Sequence, residues 1–369
     1  MDMRGYNMTN WATRIEDDFS KLAKNIDTKV EIISLPSPSL NWAVGNGGFV
    51  GGKIAVMYGP ESAGKSLIGM LTLIEIQKKY PKGYCLLFDA EFSFNKNWFE
   101  KLGGDLSRLI VRQTNDPVQI FDYWYGELLE LLQDGFPLKG IMLDSVRSIV
   151  FPKDMKEIST KQIQGGTGAA YLPSVLKRIV PIVRQYGIFT VLIQQVTDQL
   201  DMFKKMIDPY VIPDGKFLRH TADYFLMIEK LESKANTVTT GRKGMTGQER
   251  KIGHKVKVQV RKNRTADPYR WALFTLMYES GISNISEEIF DLAESIDVIS
   301  HPLSGGGTTW VFGEYPSIRG KEAMIEWIDK DKKIQQEIIS ACYTVNDSVI
   351  KKAGREKGIL TMLEDEDTE

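Results

Sequence analysis

The sequence predicts an α/β fold: a mostly parallel, twisted sheet, with a helical segment before it and a small α/β module after it. Three observations lead there. Four short, dense apolar runs, KIAVMY, YCLLFD, KGIMLD and IFTVLI, recur between residues 53 and 193. Helical patterns over 65–79, 118–134 and 170–186 separate them. A glycine-rich motif sits between the first run and the first helix. Runs without polar alternation are buried on both faces, and strands alternating with helices lie parallel.

Taken in order, the chain opens with a mixed segment, 1–35. Within it Ile15, Phe19, Leu22 and Ile26 fall at helical spacing and predict one amphipathic helix. Its apolar side packs either on its own domain or on a neighbouring copy, so we assign 1–35 to oligomerisation. The core spans 36–280. Its later runs, YFLMIEK, HKVKVQVRK and RWALFTLMY, read as adjoining or antiparallel strands. The polar, glycine-bearing stretch 233–253 reads as a long hairpin tip or mobile loop. From 281 to 358 the texture changes. EEIFDLAESIDVI predicts a helix, GGGTTWVFGEY a turn with a short strand pair, and KEAMIEWIDKDKKIQQEIISAC more helix. Residues 359–369 form an acidic tail expected to be disordered.

Composition narrows the class. With 42% apolar and 26% charged residues, 369 residues support a real core and exclude a disordered chain. The formal net charge is −1, yet the last six residues, EDEDTE, carry five acids, so the rest sums to +4. A short acidic tail on a basic body can shield a polyanion site. No run approaches the ~18 apolar residues of a membrane span. The N-terminus shows no signal-peptide stretch. Cys85 and Cys342 lie in apolar contexts without metal-ligand spacing and read as buried free thiols. The expectation is a cytoplasmic protein without a membrane partner.

Gly59-Pro60-Glu61-Ser62-Ala63-Gly64-Lys65-Ser66 satisfies GxxxxGK[ST], with a strand before it and a helix after it. The glycines permit a tight turn in which successive backbone N–H groups face one anion. The following helix adds its N-terminal partial charge. Lys65 supplies a point charge for the β- and γ-phosphates of ATP, and Ser66 a ligand for Mg²⁺. Asp144, closing KGIMLD, is placed to be the magnesium carboxylate. Glu91, just past the LLFDA strand end, is the preferred water-activating base, and Asp89 its competitor. Gln194 and Gln195 both end IFTVLIQQ, and spacing does not separate them as a γ-phosphate contact.

GPESAGKS, LLFDAEF, KGIMLDSV, VLIQQV and VRKNRTADPYRWALFTLMYESGI occur in that order over residues 30–300. They resemble the RecA family of homologous-recombination ATPases. The short first loop and the acidic tail resemble its phage-encoded members from T4-type viruses, the UvsX type. The resemblance implies a RecA-like P-loop NTPase core. It implies that Glu91 activates water, that Asp144 is the Walker B aspartate and that Gln195 rather than Gln194 senses the γ-phosphate. It places Trp98 where an aromatic ring stacks on adenine, and Lys262 and Arg264 where cations reach the ATP of the adjacent subunit.

The same resemblance implies two DNA-gripping loops, about 150–168 and 196–218. Arg147 borders the first. They carry Lys153, Lys156, Lys161, Lys204, Lys205 and Lys216, with Arg219 at the border of the second and Gly165, Gly166 and Gly168 permitting close backbone approach. Asp154, Glu157, Asp198, Asp201 and Asp208 lie among these cations and temper the signal. The second loop lacks the threonine-glycine-glycine run of bacterial members. Base-step insertion therefore falls to Met202, Phe203, Met206 or Tyr210.

The function expected is ATP-dependent strand exchange by a helical filament on single-stranded DNA. ATP sits at the subunit interface and duplex DNA is sampled. A loading mediator and a single-stranded-DNA-binding protein are the implied accessory partners, and the compartment is the host cytoplasm if the chain is phage-encoded. The alternatives are a hexameric helicase or motor, and a non-catalytic filament regulator. Intact Lys65, Glu91 and Asp144 argue against the last.

Overall fold

In a computed structural model, residues 31–150, 168–200, 203, 210–213, 215–231, 233, 236–239, 250–302 and 308–345 are described. The expected N-terminal helix, the acidic tail, most of the first expected DNA loop and the middle of the second lie outside them.

Two short strands, β1 (Ile32–Ile33) and β2 (Phe49–Val50), pair around helix α1 (Pro38–Val44). Then come β3 (Ile54–Gly59), α2 (Lys65–Lys79), β4 (Tyr84–Asp89), α3 (Lys96–Lys101), β5 (Leu109–Arg112), α4 (Pro117–Tyr125), α5 (Glu127–Gln133) and β6 (Leu138–Asp144). After α6 (Gly168–Gln185) and β7 (Phe189–Gln195), a small ladder forms from β8 (Thr197–Asp198) and β9 (Tyr210–Val211). Helix α7 (Gly215–Thr221) leads into β10 (Tyr224–Lys230), β11 (Thr237–Thr239), β12 (Lys251–Asn263), β13 (Trp271–Met277) and β14 (Gly281–Ser283). The chain continues as α8 (Ile285–Ser295), the pair β15 (Thr309–Trp310) and β16 (Ile318–Arg319), α9 (Lys321–Lys330) and α10 (Lys332–Thr344).

Among the described residues the main sheet runs β14-β13-β12-β10-β3-β7-β6-β4-β5, with β11 beside β12. From β10 to β5 the neighbours are parallel; from β10 outward to β14 they are antiparallel. All four apolar runs are therefore parallel strands. β3 lies between β7 and β10, so the loop leaving it opens at the centre of the sheet. YFLMIEK joins both halves, parallel to β3 and antiparallel to β12.

Side chains of β3 alternate between two cores, as a strand covered on both faces requires. Ala55 and Met57 join a cluster with α1, α2 and α8–α10. Ile54, Val56 and Tyr58 join a second cluster with α4, α5 and α6. The helical pattern over 118–134 proves to be two helices. Gly126 adopts φ −101°, ψ −104° between them, a geometry outside the helical region. The last helical run also divides, because Asp331 leaves helical geometry and its carboxylate caps α10 by accepting from Lys333 N–H at 2.8 Å. Both cysteines are buried free thiols, and burial pushes each up to about 12.

Residues of α8 share the apolar cluster of the main sheet. One buried carboxylate ties this packing to α1. Glu288 Oε1 accepts from Ser37 Oγ at 2.7 Å, Ser39 Oγ at 2.7 Å and Ser39 N–H at 2.8 Å, while Oε2 has no partner. Burial raises Glu288 to about 7. A carboxyl raised on folding stabilises the fold while it is protonated, and that contribution is lost as pH rises from the ordinary carboxylate range through about 7. Glu288→Gln keeps an acceptor oxygen and cannot ionise. It is expected to gain on the wild type between pH 5 and pH 8, with a relative change on the order of 3 kcal/mol. Melting temperatures of both proteins across that window check this. Parallel curves would remove Glu288 as the titrating group.

Candidate nucleotide site

The phosphate loop is shaped by close packing beneath it. Gly59 ends β3 so near β10 that a Cβ would lie 2.0 Å from the Ile228 carbonyl oxygen. Gly64 caps α2 at φ 98°, where a side chain would be strained, and a Cβ there would meet Leu276 Cδ2 at 2.4 Å. The loop is thus held against β10 and β13 from behind, and α2 directs its N-terminus toward the sheet edge.

Lys65 is buried and folds back over the loop, donating to the carbonyls of Gly59 at 2.9 Å and Pro60 at 2.6 Å. Burial lowers its pKa, opposed by Asp144, Glu91 and Glu61. Asp144 is also buried. Burial pushes it up to about 6, against a hydrogen bond from Ser66 and with Glu91 and Asp89 adding repulsion. Its Oδ1 has no hydrogen-bond partner. A hydroxyl beside an orphaned, buried carboxylate oxygen is a hard-oxygen donor pair. It suits Mg²⁺, which takes one or two protein ligands and completes its shell with phosphate and water. Among the described residues no group of three or more His, Cys, Asp or Glu forms an all-protein cage.

The end of β4 runs beside the end of β6, and the Ala90 and Glu91 N–H groups both donate to the Asp144 carbonyl, at 2.7 and 3.2 Å. Glu91 is half-buried. Its Oε1 accepts from Gln195 Nε2 at 2.7 Å and from Ser148 Oγ at 3.4 Å. Gln195 is in register with Gly59 across β3 and β7. The structure therefore brings Lys65, Ser66, Glu91, Asp144 and Gln195 to one sheet edge. Their competitors are engaged elsewhere. Asp89 is buried and accepts from Ser93 N–H, Phe94 N–H and Gln113 Nε2 at 3.1, 3.0 and 2.9 Å. Gln194 points to the other face and donates to the Pro213 carbonyl at 3.0 Å.

Trp98 is half-buried on α3, packed against the apolar core, with its indole N–H on the Tyr278 carbonyl at 2.7 Å. Lys262 and Arg264 are not among the groups gathered at the loop of their own chain. Lys262 Nζ donates to the carbonyls of Arg219 and His220, and Arg264 to that of His220 at 2.8 Å. Arg264 also lies 3.7 Å from the buried Asp223 carboxylate. Burial, with repulsion from Arg264, lowers Lys262 to about 8. Both cations are thus docked on the last turn of α7, the helix that ends the second proposed DNA loop.

Of the proposed DNA contacts, Lys216 and Arg219 are exposed on α7, and Arg147 is exposed after β6. Phe203 is 84% exposed. Lys153, Lys156, Lys161, Gly165, Gly166, Lys204 and Lys205 lie outside the described residues. β8 and β9 clasp the base of the second loop directly after Gln195, with Thr197 opposite Val211. Sequence reasoning missed Ser148, Gln113 and Asp223. Ser148 lies four positions beyond Asp144, but a serine in a short turn carries no signal until the turn is seen to face Glu91.

The RecA N-terminal domain family matches residues 13–283. Among similar proteins, Protein RecA of Rickettsia bellii (strain RML369-C) is 29% identical over 321 residues, covering 86% of this chain and 85% of its own. Protein RecA of Mycoplasma mycoides subsp. mycoides SC is 27% identical over 319 residues, with 86% and 85% covered. Protein RecA of Thermus aquaticus is 26% identical over 357 residues, with 95% and 98% covered.

Proposed function

Because this chain belongs to the RecA family, we propose that it is a DNA-dependent ATPase that assembles on single-stranded DNA and pairs it with homologous duplex. The observation that carries the reading is the Glu91–Gln195 hydrogen bond, 2.7 Å long, at the sheet edge that also carries Lys65 and Asp144. It joins a candidate base to a strand end that runs straight into the clasp of the second loop.

Lys65 and the loop N–H groups bind the phosphates of ATP. Ser66 and Asp144 hold Mg²⁺, which supplies charge neutralisation on the phosphate oxygens when bound. Glu91 takes a proton from the attacking water. Gln195 reports the γ-phosphate: engaging it breaks the bond to Glu91, which frees the base and shifts β7 against β8. Trp98 stacks on adenine. Lys262 and Arg264 leave α7 to reach the nucleotide of a neighbouring copy, so that turnover depends on assembly. Lys153, Lys156, Lys161, Gly165, Gly166, Lys204, Lys205, Lys216 and Arg219 contact the DNA backbone, and base pairing supplies the sequence specificity.

In this reading 36–280 is the ATPase core, 1–35 an oligomerisation segment, 281–358 an appended module and 359–369 an acidic tail. The short first loop and that tail support a phage-type member working in the host cytoplasm with a loading mediator and a single-stranded-DNA-binding protein. At 26–29% identity the bacterial proteins above are distant relatives. Among the described residues, no helix is long and apolar enough to cross a membrane.

Negative-stain imaging with a non-hydrolysable ATP analogue and Mg²⁺, with and without single-stranded DNA, tests this. DNA-promoted open helical filaments are expected, together with DNA-stimulated hydrolysis that weakens with salt. Closed rings would replace the reading with a hexameric motor. Hydrolysis indifferent to DNA would overturn it.

A further inference from the structure

Asp223 lies in the link between α7 and β10 and is 1% exposed. Its backbone is fixed on both sides. Its N–H donates to the Ile54 carbonyl at 2.8 Å, and its carbonyl accepts from the Arg264 N–H at 3.0 Å. Oδ2 accepts from the Ile54 N–H at 3.1 Å. That leaves Oδ1, and two half-exposed guanidinium groups approach it. Arg184 Nη2, from the last turn of α6, lies at 3.4 Å, and Arg264 Nη1 at 3.7 Å. Of the two, only Arg184 is close enough to donate. Arg264 gives its Nη2 hydrogen bond to the His220 carbonyl and meets Asp223 through charge. Ile54 begins β3 and Gly59 ends it, so this cluster sits at the opposite end of the strand from the phosphate loop.

We propose that Asp223 is a positioning residue that holds Arg264 on its own chain and sets how readily that cation passes to the nucleotide of a neighbouring copy. A buried carboxylate left without a cation is strongly disfavoured. Arg184 removes that obstacle, because its hydrogen bond to Oδ1 stays in place when Arg264 departs. The two arginines therefore have different tasks: Arg184 is the permanent partner and Arg264 the exchangeable one. Position agrees with this. The intervening strand is roughly 17 Å of extended chain, longer than any side chain. An Arg264 released from Asp223 thus has no phosphate loop of its own within reach. The weaker the hold on the docked position, the larger the fraction of chains ready to engage a neighbour.

This inference rests on the assembly reading, and the test separates the two. The protein concentration giving half-maximal ATP turnover per subunit on single-stranded DNA, and the melting temperature without nucleotide, are measured. The proteins are full-length wild type, D223N, R184A and the double variant. Asparagine keeps an oxygen for the Ile54 N–H and places an amide NH2 where Oδ1 stood, so neither arginine is attracted. The D223N midpoint is expected about two- to fivefold below wild type, the worth of one partly exposed ion pair. Alanine at 184 leaves Arg264 as the remaining guanidinium on the carboxylate. Its midpoint is expected at least about fivefold above wild type. The double variant is expected to match D223N, since Arg184 acts through that carboxylate. A loss of stability alone cannot move the two midpoints in opposite directions. An unchanged or raised midpoint in D223N overturns the inference and leaves the assembly reading standing. If D223N does not fold, an unchanged or lowered midpoint in R184A does the same. A wild type whose turnover per subunit is independent of its concentration overturns both.

Discussion

Glu91→Gln is expected to bind ATP as the wild type does and to hydrolyse it at least about 10²-fold more slowly, the scale set by removing a general base. The substitution is nearly isosteric. The new amide oxygen still accepts from Gln195 Nε2, now 2.7 Å from Glu91 Oε1, and from the Ser148 hydroxyl. The loop, Lys65 and Asp144 are untouched, so the phosphate grip survives. Only the capacity to take a proton is lost. Single-turnover hydrolysis beside fluorescent-nucleotide binding separates the two effects. Turnover within about tenfold of wild type would move the base elsewhere. Asp89 is a poor replacement, because both its oxygens are committed to Ser93, Phe94 and Gln113.

A mixture of two inactive proteins is expected to regain activity. One carries Glu91→Gln; the other carries Lys262→Ala with Arg264→Ala. In the proposed assembly a working site needs Glu91 from the copy that holds ATP and both cations from its neighbour. Random co-assembly at equal amounts pairs an intact Glu91 with intact neighbouring cations at about one site in four, so about a quarter of wild-type turnover returns. A site built from one chain would regain none. The geometry favours sharing, since the two cations dock on the carbonyls of Arg219 and His220 in their own chain. Their removal leaves the fold standing, because Arg184 still faces the buried Asp223 carboxylate at 3.4 Å and the Ile54 N–H still donates to it. Unchanged melting of the double variant checks that point.

The opposite fates of neighbouring residues show where sequence reading reaches its limit. The motif at 59–66 was legible because every residue in it answers to one local demand: a tight turn, a point charge and a helix start. The four apolar runs were legible because a strand covered on both faces excludes polar residues. Asp89 and Glu91 differ in neither property. What separates them is that the turn after β4 folds back over Asp89 and saturates it, while Glu91 faces Ser148 and β7. Gln194 and Gln195 differ only by the alternation of β7, and which face meets the phosphate loop depends on the sheet order. The family resemblance chose Gln195; the register that puts it beside Gly59 gives the physical reason.

Composition, periodicity and the glycine-rich motif by themselves determined the α/β class, the parallel strands and the place of the candidate phosphate loop, because each depends on contacts within one turn or one strand. Tertiary structure decided the central position of β3, the partnership of Glu91 with Gln195 and the docking of Lys262 and Arg264 on α7. Those contacts join residues far apart in the chain. Long-range pairing is fixed by the order in which strands share a sheet, and no local sequence property encodes that order.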